Sequence, residues 1–111
     1  MESILTSVKK MLGIEEDDTS FDEEIIMHIN SVLMALTQMG VGPADGFEIE
    51  DATSEWTEFV PDTKKFSAVK SYLFMRVKLL FDSSTMSSSL IEAYNRQIAE
   101  FEWRLNHAAE F

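Results

Sequence analysis

Apolar residues recur at steps of three and four over four stretches of the chain, a spacing that stacks them on one face of an α-helix. The most regular stretch is Ser88–Ala109, SSLIEAYNRQIAEFEWRLNHAA, in which Leu90, Ile91, Tyr94, Ile98, Phe101, Leu105 and Ala108 form the stripe. Serines at 87–89 offer a hydroxyl N-cap, and Glu92 with Arg96 and Glu100 with Arg104 are i,i+4 pairs in the favourable order. His107 falls in the last turn, where positive charge suits the helix dipole. A face of this kind has to be covered. The segment therefore reads as the element around which the others are organised, with the earlier helices as its cover.

Residues 3–12 form a short helix with Ile4, Leu5, Val8, Met11 and Leu12 inward, Gly13 at its left-handed end and Ile14 closing the cap. The pattern leaves open whether this helix docks on its own chain or on a neighbouring subunit. A second helix runs from Asp22 to Met39 with Ile25, Ile29, Val32, Leu33 and Leu36 as its stripe, and Gly40 ends it. Two start signals overlap there: Asp22 as N-cap with Phe21 stapling onto Ile26, or a capping box of Ser20 and Glu23. A third helix, capped by Asp62, runs to about Phe81 with Phe66, Val69, Leu73, Val77 and Leu80 inward, widened by Tyr72 and Phe74. Residues 41–61 lose the helical period. Within them, Gly46 to Glu50 alternate like a short strand, and Ser54 can cap one helical turn carrying Trp56 and Phe59. The fold expected is all-α: a small bundle of four main helices with a long insertion, a short strand or helical turn, between helices 2 and 3, in one domain over 1–111. The core expected is Ile25, Ile29, Val32, Leu36, Val69, Leu73, Val77, Leu80, Leu90, Tyr94, Ile98, Phe101 and Leu105.

Composition narrows the function classes. With 111 residues the chain can build a core without disulfides or metal, and its lack of cysteine removes thiolate chemistry and Cys-based zinc sites. His28 and His107 are too far apart in sequence to form a local ligand pair, and His28 reads as a boundary residue beside Ile25 and Ile29. The first residues place lysines after the apolar ones, unlike a secretory signal, and no apolar run is long enough to span a membrane. Gly40, Gly42 and Gly46 follow a helix rather than a strand and precede no Gly-Lys-Ser/Thr, so they do not read as a phosphate loop. An EF-hand counted from Asp17 would place Phe21 at a ligand position and Asp22 where glycine is needed. The expectation is a protein that is not an enzyme and has no cofactor and no metal site.

Charge changes the picture most. Nine Lys and Arg face twenty Asp and Glu, a formal net charge of -11, which repels nucleic-acid phosphates. Fourteen of the twenty acids lie between 15 and 24 or between 45 and 62. The second cluster also carries Phe47, Ile49, Trp56 and Phe59, with no Lys or Arg. Two readings stand side by side: the aromatics plug one end of the bundle, or the segment meets another protein through them.

The order of VKKMLGI (8–14), IIMHINSVLMALTQMGVGP (25–43), VKSYLFMRVKLLFD (69–82) and LIEAYNRQIAEFEWRLN (90–106) resembles the small helical head-tail connector (adaptor, or head-completion) proteins of tailed bacteriophages. The resemblance implies a structural virion protein at the head-tail junction, made in the host bacterial cytoplasm. It further implies a homo-oligomeric ring beneath the portal protein that extends the DNA channel and seats a downstream connector or tail protein, with DNA passing through without specific binding and no membrane involved. On that footing Phe47, Ile49, Trp56 and Phe59 are the expected subunit interface, and Glu48, Glu50 and Asp51 the expected channel-facing acids. The alternative is a monomeric acidic DNA mimic or regulatory protein that binds a basic partner. A mimic needs carboxylates regularly spaced along an exposed helix face, whereas these acids are clustered.

Overall fold

The computed structural model describes residues 3–60 and 63–109, excluding the side chains of 63–66 and 107–109. Its helices are α1 (Ile4–Leu12), α2 (Asp22–Gln38), a single turn α3 (Trp56–Phe59), α4 (Thr63–Asp82) and α5 (Ser88–Ala109), with a 3-10 turn at Ser83–Thr85. The expected Asp62 cap and the inward Phe66 and Ala108, like His107, lie outside the described residues. The fold is all-α, a small helical bundle, as the periodicity predicts.

Local chemistry sets the helix ends. Ser3 Oγ accepts from the N–H of Thr6 at 3.2 Å to open α1, and Gly13, at φ 79°, closes it with the N–H groups of Gly13 and Ile14 on the carbonyls of Lys10 and Lys9. Gly40 and Val41 close α2 in the same way on Thr37 and Leu36. The start of α2 differs from both expected caps: Phe21 occupies the N-cap position without a side-chain bond, and its ring packs edge-on against Phe81 at 5.6 Å. The Asp22 carboxylate is drawn elsewhere, to Lys9 Nζ at 2.8 Å. Lys9 is only 3% exposed, and a buried ammonium is costly unless paired. Its other acceptor is the Glu16 carbonyl at 2.9 Å, so the loop between α1 and α2 wraps around the charge.

Helix α4, not α5, is the centre. It packs on both α2 and α5, and α1 packs on α2 and α4; the whole is a slab of 39 × 35 × 20 Å. Val69, Tyr72, Leu73, Met75 and Val77 of α4 are buried, as are Ile25, Ile29, Val32, Leu33 and Leu36 of α2. Among the described side chains of α5 only Ile98 and Leu105 are buried, with Tyr94 and Phe101 half-buried against the core. Leu80 and Leu90, both expected inside, are 47% and 46% exposed. They flank the 83–87 turn, and a helical stripe continues in sequence whether or not a neighbouring helix continues to cover it.

A polar network joins α4 to α5. Tyr72 Oη donates to Glu102 Oε2 at 2.7 Å, and Arg76 donates to Tyr72 Oη at 2.7 Å from beside the same carboxylate. Burial first, and then the hydrogen bond to Glu102, push the Tyr72 phenol up to about 12.

Gly42, at φ 86°, lies so close to the ring of buried Phe59 that a Cβ would collide with it, whereas Gly13 has open space around it. Gly13→Ala is expected to cost about 1–2 kcal/mol from its backbone conformation alone. Gly42→Ala is expected to cost about 2–5 kcal/mol, because overpacking adds to the strain. Urea unfolding of the two variants separates the terms. For Tyr72, a phenol with a raised folded pKa favours folding in full below about pH 10, and that contribution is lost as pH climbs toward 12. The stability difference between wild type and Tyr72→Phe, followed by denaturant titration, is therefore expected to be constant up to about pH 10 and to shrink above it.

Candidate interface on residues 41–60

The segment between α2 and α4 sorts its side chains by alternation and by long-range polar anchors. After Gly40, Val41 is buried, Gly42 lets the chain pass the Phe59 ring, and a turn closes with the Gly46 N–H on the Pro43 carbonyl at 3.0 Å. Residues 46–50, whose alternation suggests a short strand, belong to none. What replaces a neighbouring strand is one side chain: Asn30 of α2 accepts from the Ile49 N–H at 2.8 Å and donates to the Ile49 carbonyl at 3.0 Å. That two-point clamp satisfies both backbone groups of a residue that is 1% exposed.

Further on, the Ser54 carbonyl accepts from the Ile4 N–H at 3.0 Å, and Ser3 pairs with Glu55 in an isolated antiparallel bridge. The expected helical turn is α3, although Glu55 rather than Ser54 caps it, its N–H donating to the Glu58 carboxylate at 2.6 Å. Trp56 donates through Nε1 to Ser7 Oγ at 3.1 Å and packs edge-on to Phe74. Phe59 is fully buried, with the half-buried Phe47 ring 5.5 Å away.

This arrangement corrects the expected subunit interface. Ile49, Trp56 and Phe59 are in the chain's own core at 0–1% exposure and cannot meet a neighbour without unfolding the segment. Of the four, only Phe47 reaches the surface. Asn30 and Ser7 are the residues that sequence reasoning missed. Asn30 had a visible signal, a carboxamide flanking the buried Ile29, Val32 and Leu33 on an otherwise apolar side of the helix.

The acids point the other way. Asp45, Glu48, Glu50, Asp51 and Glu58 are exposed. Asp51 accepts from the Thr53 hydroxyl and, at 2.9 Å, from its N–H, and those bonds hold its carboxyl below the usual range, so the tip of the segment stays ionised. Among the described residues no three His, Asp or Glu side chains converge on a metal position, and no helix is long and apolar enough to cross a membrane.

Replacing Asn30 tests the clamp. Asn30→Ala is expected to lower stability by about 2–4 kcal/mol in urea unfolding, since it leaves two buried backbone groups without partners. Asn30→Asp keeps an acceptor for the Ile49 N–H but sets a second oxygen against the Ile49 carbonyl, so it is not expected to restore wild-type stability.

Comparison with known proteins places this arrangement. A family model described as phage connector protein matches residues 4–111. No curated protein and no solved structure matches the chain. With all five helices and the whole acidic segment inside the matched span, the chain belongs to the phage connector protein family, and its role is that of a structural connector of the phage particle.

Proposed function

We propose that the chain assembles as a homo-oligomeric ring beneath the portal, extends the DNA channel and seats the next connector or tail component, with Glu48, Glu50 and Asp51 at the channel wall or its rim. The observation that carries this reading is the separation within residues 41–60: three apolar side chains anchor the segment inside while its acids are exposed. Duplex DNA carries about one negative charge per 1.7 Å of axis and adheres to surfaces that offer Lys and Arg. A wall of carboxylates held on a fixed scaffold keeps a sliding duplex from sticking. The separation also favours the connector over a DNA mimic, because the outward side of α2 beyond its first turn carries no carboxylate at all.

Charge reversal tests the placement. Rings carrying Glu48→Lys, Glu50→Lys and Asp51→Lys together are expected to bind duplex DNA at low salt, with affinity falling steeply as salt rises, while wild-type rings do not bind. The substitutions are on exposed positions, so the melting transition should stay close to that of the wild type. Reversed rings that remain indifferent to DNA would remove these acids from the channel.

A further inference from the structure

Charge is spread unevenly over this chain of net charge -11. From Ile25 to Ala44 the sequence contains no Asp, Glu, Lys or Arg, although those residues make up 26% of the whole. Burial accounts for only part of this stretch: Met27 and Met34 are 64% and 60% exposed, and Ser31 and Gln38 are exposed on the same side of α2. The solvent face of a helix ordinarily carries charged residues. A face of Met, Ser and Gln has the composition of one that becomes covered, since protein contacts enrich Met and deplete Lys, Glu and Asp. Beside this face the 41–60 segment leaves an open groove of about 390 Å³ lined by Asn30, Met34 and Phe47, with Asp45 and Glu48 among its walls.

Helix α5 carries a second exposed strip. It turns Glu92, Arg96, Ala99 and Trp103 outward, and Trp103 is 62% exposed. Helices α2 and α5 each pack on α4, and each leaves its strip exposed. Met27 to Met34 and Arg96 to Trp103 each span two helical turns, about 10 Å.

On the ring reading, on which this step rests, we infer that the α5 strip of one copy docks in the α2 groove of the next, with Trp103 entering beside Met34 and Phe47 and Arg96 facing Asp45. Copies this acidic repel one another over most of their surface, so contact is favoured where one side presents a helix face free of charge and the other brings an arginine to an acid at its edge. The α2 face meets the first condition. The α5 strip meets the second and adds an exposed Trp, the residue type that most often anchors an interface. Because the two faces differ, the contact is head-to-tail and propagates from copy to copy until the rotation closes it.

The test uses the full chain in three forms: wild type, Met34→Glu and Trp103→Ala. Both substitutions are at exposed positions, and unchanged circular dichroism and melting establish that each variant is folded. Masses are measured by light scattering over a range of concentrations, alone and with portal protein. The expected result is a multi-subunit wild type, two monomeric variants, and a 1:1 dimer when the variants are mixed, because each lacks a different face and one good contact remains. Variants that assemble like the wild type would overturn the docking assignment and leave the ring reading standing, as would a mixture that stays monomeric while the wild type assembles. A wild type that is monomeric in every condition would instead overturn the ring reading itself and this inference with it.

Discussion

One carboxamide fixes the middle of the acidic segment to the body of the protein. A peptide that leaves a helix and crosses the surface has backbone N–H and C=O groups to satisfy, and burying Ile49 removes water as a partner. Asn30 supplies both bonds from a helix already fixed by Ile29, Val32 and Leu33. With Ile49 pinned, Phe47 reaches the Phe59 ring, Trp56 reaches Ser7, and the alternating acids are left outside. The outward charge of the segment is thus a by-product of satisfying buried backbone.

The two acidic clusters, alike in composition, do different work. Between 15 and 24 the acids are partly structural: Asp22 neutralises the buried Lys9, and Asp18 accepts from the Ser20 N–H, a bond that holds its carboxyl below the usual range. Between 45 and 58 the side chains that hold the segment are apolar or neutral, and the carboxylates bind little beyond local turns such as Asp51 with Thr53. Removing charge from the first cluster uncovers a buried ammonium; removing it from the second alters mainly the surface.

Much of the architecture was legible in the chain because helix periodicity and glycine caps are local. The four main helices, the left-handed glycines at 13 and 40, and the turn carrying Trp56 and Phe59 all follow from neighbours a few residues apart. The hub was not legible. Periodicity shows that α5 has an apolar stripe but not how much of it finds cover, so the pattern that predicts Leu80 and Leu90 inside cannot reveal that they are exposed or that α4 is the hub. The anchors of the acidic segment join residues 19 and 49 positions apart, beyond the reach of any local pattern. Lys9 was closer to readable: it follows Leu5 by four residues on the inward side of α1, where a lysine requires a partner.

Separating scaffold from charge also bears on how such a surface can change over generations. The residues that fix the course of 41–60 are Asn30, Gly42, Ile49, Trp56 and Phe59, and none of them is ionisable. Selection can therefore rewrite the carboxylates one codon at a time, adding, deleting or moving a negative charge, without passing through an unfolded intermediate. The fold leaves the electrostatic character of this surface to be set by function alone, while its shape is inherited.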